Sequence, residues 1–168
     1  KKNQSFFKNI KSIKPGHFYV FNGNNIIEKK YWNLSYRPNK KIKFEEIIFN
    51  SKRNLINSIE KKLNADRSVS IMLSGGIDST GIASIAHKLL NKKVSTYSII
   101  ESDSRYNESE NIKATIKDIN CKNIKLNISD LLKKDLLSEL TANIKYNSAP
   151  VLTITSFISY FLHKKISS

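Results

Sequence analysis

The sequence predicts an α/β fold in which a parallel sheet carries helices on both of its faces. From residue 69 onward, apolar segments of strand length alternate with amphipathic segments of helix length. Strands and helices that alternate in this way form parallel sheets, and their strands all end at one rim. A two-glycine turn also follows the first strand of this region, at the rim where such sheets bind ligands.

The two-glycine turn lies in the segment VSIMLSGGIDS, between an apolar strand and the start of a helix. Gly75 and Gly76 allow a tight turn and a close approach to a ligand, because they carry no side chain. A helix N-terminus exposes unpaired N–H groups and a partial positive charge, which makes this turn a candidate phosphate site. Ser74 and Ser79 would add hydroxyl donors.

Asp78 refines this interpretation, because its carboxylate would repel a bare phosphate. Mg²⁺ prefers carboxylate and phosphate oxygens, so Asp78 indicates a magnesium ion bridged to phosphates. The turn has neither the Lys-Ser or Lys-Thr pair of the Walker loop nor the spaced glycines of a dinucleotide fold. An ordinary strand–turn–helix without a ligand is the alternative.

Hydrophobic periodicity and turn residues define the other elements. Strands are predicted at 17–21, 26–32, 69–73, 94–100 and 124–128, and helices at 44–63, 78–90, 107–120, 129–144 and 153–166. Ser129 is the expected N-cap of its helix. One apolar stripe of the first helix is predicted to be a core face, and it consists of Phe44, Ile47, Ile48, Leu55, Ile56, Ile59 and Leu63.

The chain is expected to contain parts of two domains. Residues 1–33 hold a hairpin around an Asn-Gly-Asn-Asn turn, residues 34–43 read as a linker with one proline, and residues 44–168 form the α/β region. A hairpin with a thin apolar face rarely stands alone, so its sheet should continue in a longer protein. The start without Met and the helical pattern at the end also favour a fragment.

Composition limits the other function classes. The net charge of +15 would suit nucleic acid, but the lysines are scattered and accompany many Asn and Ile residues. We therefore attribute the charge to compositional bias and expect no nucleic-acid partner. No segment is long and apolar enough to span a bilayer, and a single cysteine favours a reducing cytoplasm.

Acidic residues follow the second strand of the α/β region. Glu101, Asp103 and Glu108 could contact metal or substrate, but solvated loop positions and a helix cap are the simpler interpretation. The one cysteine and the histidines lack the spacing of a metal site, and no Ser/His/Asp or Cys/His triad can be argued.

The motifs together resemble the PP-loop ATP pyrophosphatases, whose signature is SGGxDS, and within them the glutamine-hydrolysing asparagine synthetase family. KNIKSIKPGHFYVFNGNNIIEKKYWN is similar to the last strands of that family's Ntn-type glutaminase domain. IMLSGGIDST is similar to its pyrophosphate-binding turn, and TYSIIESDSRYNESENI to the second strand with its Tyr-Asp-Glu segment. SAPVLTITSFISYFLHKK resembles the helix before the family's second glycine motif.

The resemblance implies an ATP-dependent amidotransferase. Its site residues would be Ser74, Gly75, Gly76, Asp78 and Ser79 for ATP and pyrophosphate, Asp78 for Mg²⁺, and Met72 and Ile99 for adenosine. A carboxylate, typically aspartate, would be adenylated, and ammonia from glutamine, released by the missing domain, would then attack it. The resemblance also allows a homodimer.

Several features of the sequence leave the substrate open. The family's glutaminase nucleophile is an N-terminal cysteine, which Cys121 cannot be, and Asn107 and Ile100 depart from the pattern after the second strand. Relatives amidate sugars or close lactam rings, a tRNA-modifying PP-loop enzyme would suit the charge, and a non-catalytic remnant is a third alternative. The piece by itself is expected to be inactive and to bind nucleotide at most weakly.

Overall fold

The computed structural model describes residues 5–38, 41–103, 105 and 107–167, and it divides into two compact units, Lys1–Lys43 and Phe44–Ser168. Two positions of the predicted linker, 39 and 40, lie outside the described residues. So do Ser104 and Tyr106, in the predicted Tyr-Asp-Glu segment.

The first unit contains the predicted hairpin. Strand β1 (His17–Phe21) pairs antiparallel with strand β2 (Ile26–Lys30). In the connecting turn, the Asn22 side-chain oxygen accepts hydrogen bonds from the backbone N–H groups of Asn24 and Asn25, at 3.3 and 2.9 Å. An Asn side chain of this kind stabilises a turn by replacing a backbone acceptor.

The hairpin buries little surface of its own. Every residue of β2 is exposed, as are four of the five residues of β1. A two-stranded sheet is at best marginally stable in water without further packing. The assignment of residues 1–33 to a glutaminase domain stays a prediction.

The second unit is a three-stranded parallel sheet with helices. Its strands are β3 (Ser70–Met72), β4 (Ser95–Ile100) and β5 (Asn123–Asn127), which pair in that order. Its helices are α1 (Phe44–Leu63), α2 (Ile77–Ser84) with a π-helical continuation (Ile85–Leu89), α3 (Ser109–Ile119), α4 (Ile128–Leu131), α5 (Leu136–Asn147) and α6 (Ile154–Ser167).

Both faces of this sheet are covered, as predicted. Helices α2 and α3 follow successive strands through crossovers of the same hand, so they lie on one face. The core on that face consists of Ile71, Leu73, Ala83, Ala86, Ile112 and Ile119. Helix α6 contacts β4, and its residues Phe157 and Phe161 form a second core with Leu131. The parallel α/β fold expected from the sequence is confirmed.

The prediction that the apolar stripe of α1 is a core face is confirmed only for its C-terminal half. Ile59 is buried, and Ile56 and Leu63 are half-buried, where the helix contacts the π-helical continuation of α2. Towards the N-terminus, by contrast, the stripe is exposed at Phe44, Ile47, Ile48 and Leu55. The apolar periodicity correctly predicts the helix, but it does not show how far along the helix a packed neighbour extends.

The prediction of a single helix at 129–144 is wrong, because the structure has two helices in this region. Helix α4 ends at Leu131, and α5 begins only at Leu136. Asp135 breaks the run because its carboxylate accepts hydrogen bonds from the N–H groups of Leu137 and Ser138, both at 3.2 Å. Asp at this position is a strong N-cap, whereas the predicted cap, Ser129, lies inside α4.

An ion pair joins α5 to α6 and leads to a pH-dependent prediction. Lys164 Nζ lies 2.9 Å from both carboxylate oxygens of Glu139, and this hydrogen bond holds the pKa of Glu139 below its ordinary value of 4.5. A depressed carboxyl pKa adds stability above its unfolded value, and this contribution is lost as the pH falls through the folded value.

We therefore expect the thermal midpoint of the wild type to fall more steeply below pH 4.5 than that of Glu139→Gln. Thermal unfolding followed by circular dichroism between pH 7 and pH 3 measures this difference. Glu60→Gln, on the exposed surface of α1, is the matched control and should keep the wild-type slope. Equal slopes in wild type and Glu139→Gln would contradict the prediction.

Candidate functional site at the carboxyl rim of the sheet

The SGGIDS turn lies between β3 and α2, at the carboxyl end of the first strand. Leu73 N–H still donates to Tyr97 O at 2.7 Å, just beyond the last paired residue of β3. The first helical hydrogen bond of α2 runs from Thr80 N–H to Gly76 O at 3.0 Å. The first N–H groups of a helix have no partner within it, so they are directed out of the N-terminus at this rim.

Gly75 and Gly76 differ in backbone conformation and in the space around them. Gly75 has a φ of +91°, and a Cβ there would lie 3.0 Å from both the Cβ and the carbonyl oxygen of Glu108. Gly76, with φ −72° and ψ 161°, has an ordinary extended backbone, and its Cβ would meet only Ser74 Oγ at 3.4 Å. The fold itself therefore requires glycine at 75 and places no such demand on position 76.

The hydroxyl groups of Ser74 and Ser79 converge inside the turn. Their oxygens lie 3.0 Å apart, and Ser79 Oγ accepts from Ser74 N–H at 3.2 Å. Ser79 Oγ also donates to Gly76 O at 3.2 Å, while Ser74 Oγ accepts from Gly76 N–H at 3.3 Å. The two side chains that the sequence paired as hydroxyl donors are thus brought together, and they hold the turn closed.

Asp78 lies in the first turn of α2 and is exposed. Among the residues that the structure describes, no three His, Cys, Asp or Glu side chains are grouped to hold a metal ion. A single exposed carboxylate at a helix N-terminus is compatible with a magnesium ion that takes its other ligands from phosphates and water.

A cavity of ≈ 580 Å³ opens beside the turn, on the α6 side of the sheet. Met72 and Ile99, predicted to contact adenosine, both line it, and so does Ser74. The cavity therefore brings the end of the turn together with the ends of β3 and β4. Its other lining residues are Leu73, Tyr97, Glu101, Glu108, Ile128, Ile154, Thr155, Ile158, Ser159 and Leu162.

Other predicted residues lie outside this cavity wall. Gly75 is buried beneath α3, and Gly76, Asp78 and Ser79 belong to the turn above the cavity. A second cavity, of ≈ 660 Å³, lies between the end of α5 and α6. It includes no residue of the turn, so we assign the candidate site to the smaller cavity.

The acidic residues after β4 divide into two groups. Asp103 forms an ion pair with Arg105 at 2.6 Å, and this contact lowers the pKa of the Asp103 carboxyl. Glu101 and Glu108 instead line the cavity, although Glu108 is also exposed. Asp103 thus fits the simpler interpretation as a solvated loop residue, while the other two reach the site.

Sequence reasoning missed the contribution of α6 and of Tyr97. Tyr97 is the register partner of Met72 in the sheet, and it lies two residues before Ile99 on the same strand. All three side chains therefore lie on the same face of the sheet. Strand alternation could have found it. The α6 residues could not have been found in this way, because helical periodicity does not state which strand a helix will cover.

Fold and site together define a parallel α/β domain with a two-glycine turn between the carboxyl end of β3 and the N-terminus of α2. A family model described as asparagine synthase matches residues 50–168. The chain belongs to the asparagine synthase family.

Curated relatives include an amidase and an asparagine synthetase. The chain is 35% identical over 95 residues to "Amidase chyE" of Penicillium rubens, which covers 54% of this chain and 14% of that protein. It is 30% identical over 105 residues to "Asparagine synthetase [glutamine-hydrolyzing] 3" of Bacillus subtilis, covering 60% of this chain and 17% of that protein. The chain therefore spans about one-seventh to one-sixth of the length of these relatives.

One solved structure is also similar, an NH3-dependent NAD synthetase from Campylobacter jejuni. It has a TM-score of 0.46 and 21% sequence identity, and the match covers 71% of this chain and 48% of that chain.

Among the described helices, none has both the length and the apolar character that a bilayer span requires.

Proposed function

We propose that this chain supplies the ATP-binding turn of an ATP-dependent amidotransferase that adenylates a carboxylate. The single observation that carries the proposal is the turn itself. Two serine hydroxyls, a strained glycine and a helix N-terminus meet at the carboxyl end of β3, beside a cavity that Met72 and Ile99 line. Family membership supports the same reaction class.

The proposed binding mode follows from the donors. The N–H groups at the start of α2 and the hydroxyls of Ser74 and Ser79 would receive the ATP phosphates and the departing pyrophosphate. Asp78 would take part in holding Mg²⁺ against these phosphates, and the ion would neutralise their charge. Met72 and Ile99 would form the wall against which the adenosine part lies.

The proposed chemistry needs positioning more than a strong nucleophile. A carboxylate oxygen of the acceptor attacks the α-phosphorus of ATP, and the bond to pyrophosphate breaks. Ammonia then attacks the acyl carbon and AMP leaves, so that an amide forms. Fixed N–H and O–H donors around the phosphates favour the first step by holding its charge in place.

Aspartate is the acceptor that we favour, with glutamine as the ammonia source through a glutaminase domain to which residues 1–33 would belong. A sugar-directed or lactam-forming amidotransferase would use the same turn. The cytoplasm is the proposed location and a homodimer the proposed assembly. No described feature favours the tRNA-modifying alternative over these.

Binding of Mg-ATP to the 168-residue chain tests the proposal. Two-dimensional NMR detects even millimolar affinity, and we expect Mg-ATP to shift the amide resonances of 74–80. Asp78→Ala and Ser79→Ala should each weaken binding at least about tenfold, the effect of losing one strong polar contact. Asp66→Ala, in the exposed loop before β3, is the matched control and should bind as the wild type does.

Two results would overturn the proposal. A Mg-ATP concentration of about 10 mM reveals binding with a dissociation constant as weak as about 10 mM. If no resonance of the turn shifts at this concentration, the result would favour a non-catalytic remnant. Shifts that persist unchanged in both Asp78→Ala and Ser79→Ala would place the nucleotide elsewhere.

A further inference from the structure

A buried polar network lies under the turn, on the α2 and α3 side of the sheet. It consists of Thr96 and Ser98 of β4 and Asn123 of β5. Thr96 is 0% exposed and Ser98 is 1% exposed, so neither hydroxyl reaches solvent. Buried hydroxyls in a strand are costly unless each finds a partner, so their partners show what the network does.

The amide group of Asn123 donates to both hydroxyls of this network. Its Nδ2 atom lies 2.9 Å from Thr96 Oγ1 and 2.9 Å from Ser98 Oγ, and each N–H donates to one hydroxyl. A hydroxyl has a single hydrogen, so each of the two must donate onward. Thr96 donates to Lys122 O at 3.2 Å, and Ser98 donates to Leu73 O at 2.7 Å.

The opposite orientation of the Asn123 amide is less favourable. It would direct both N–H groups to where Oδ1 now lies, and Oδ1 is buried with no partner among the described residues. Two unpaired donors would then replace one unpaired acceptor, which costs more free energy. The network therefore keeps the Ser98 hydroxyl hydrogen on Leu73 O.

Leu73 O belongs to the peptide group between Leu73 and Ser74, which begins the turn. The other hydrogen-bonding group of this peptide is the N–H of Ser74. The same rigid peptide plane thus accepts from Ser98 on one side and donates from Ser74 N–H to Ser79 Oγ on the other, at 3.2 Å. A continuous chain of hydrogen bonds runs from Asn123 through Ser98 and this peptide to the serine pair of the turn.

We propose that Ser98 is a positioning residue for the SGGIDS turn, and that Asn123 orients its hydroxyl. Neither side chain lines the cavity beside the turn. Ser98 acts by fixing the plane of the 73–74 peptide, which directs Ser74 and Ser79 towards a polyphosphate. The effect on ligand binding rests on the proposed function, whereas the effect on the turn does not.

Ser98→Ala tests this role, with Thr96→Val as the matched control. Both substitutions remove one buried hydroxyl from the same strand and one acceptor from Asn123, but only Ser98 contacts Leu73 O. Amide hydrogen exchange in the ligand-free protein, read by NMR, reports whether Ser74 N–H stays protected. Mg-ATP titration reports affinity, and Ser98→Thr, which keeps the hydroxyl, tests rescue.

We expect Ser98→Ala to speed exchange at Ser74 N–H and to weaken Mg-ATP binding about tenfold, the loss expected for one misplaced hydrogen bond. Thr96→Val should change neither quantity, and Ser98→Thr should restore both. Unchanged exchange at Ser74 in a folded Ser98→Ala protein would overturn the proposal, as would an equal effect of Thr96→Val.

Failure of the proposed function is recognised separately. If the wild type binds no Mg-ATP, the exchange rate at Ser74 still decides whether Ser98 positions the turn. If Ser98→Ala does not fold, Asn123→Ala replaces it as the test variant. Asn123→Ala is also expected to speed amide hydrogen exchange at Ser74. An unchanged exchange rate in that variant would overturn the role of the network.

Discussion

Alanine at position 75 is expected to destabilise the α/β unit by roughly 2–4 kcal/mol, from left-handed backbone strain together with overpacking. The φ of +91° disfavours any residue with a Cβ, and that atom would lie 3.0 Å from the Glu108 carbonyl oxygen and 3.2 Å from Ile112 Cγ1. Ile112 is 1% exposed and packed in the core, so it has little room to move. Urea unfolding followed by circular dichroism measures the change.

Gly76→Ala is the matched control for this experiment. The backbone conformation of Gly76 suits alanine, so the substitution stabilises the fold by restricting the unfolded chain. Glycine is a better helix N-cap than alanine, so the same substitution also removes some stability. These effects oppose one another, so we expect stability to stay within about 1 kcal/mol of the wild type. Equal losses at positions 75 and 76 would contradict the division of roles between the two glycines.

Phe161→Ala is expected to cost about 3–5 kcal/mol, the range for removing a buried aromatic side chain. Phe161 is 3% exposed and packs edge-on against Phe157 and Tyr160, with ring centroids 5.2 and 5.5 Å apart. Phe157 and Phe161 also pack with Leu131 of α4, and Leu126 of β5 and Leu140 of α5 pack against this cluster, which holds α6 on the sheet. Helix α6 also forms one wall of the cavity beside the turn. Loss of the cluster should therefore loosen the candidate site as well as the fold.

Phe49→Ala on α1 provides the comparison with the same chemical change. Phe49 is 64% exposed and contacts the Arg53 guanidinium at 5.8 Å from its ring centroid. An exposed contact of this kind contributes about 0.5–1 kcal/mol, so the variant should unfold close to the wild type. Urea midpoints of the two variants measure the difference. If Phe161→Ala were as stable as Phe49→Ala, α6 would not be packed as described.

The proposed substitutions test two properties of the chain, its folding and its binding of nucleotide. The geometry assigns some of the substituted residues to the packing of the fold and others to the surface that would touch a ligand. Gly75 and Phe161 are predicted to act on folding and Asp78 on nucleotide binding, whereas Ser79 closes the turn and would also contact the phosphates. The variants therefore distinguish loss of structure from loss of function.

The sequence by itself determined the parallel α/β architecture and the position of the turn. Both depend on local order along the chain: apolar strands, helical periodicity, and glycines placed between a strand and a helix. The hairpin was equally local, since an Asn-Gly turn between short apolar runs is sufficient to predict it. Met72 and Ile99 came from the family resemblance, and their place in the cavity agrees with strand alternation.

Only the tertiary structure decided which surfaces meet. The α1 stripe is apolar along its whole length, yet the packed neighbour reaches only its C-terminal half. The break before Leu136 depends on Asp135 capping α5, which the leucine spacing conceals. The network of Thr96, Ser98 and Asn123 joins residues more than twenty positions apart, and it forms only because parallel pairing places β4 beside β5 and the end of β3. Contacts of this kind depend on strand register and helix placement, which no local pattern in the sequence specifies.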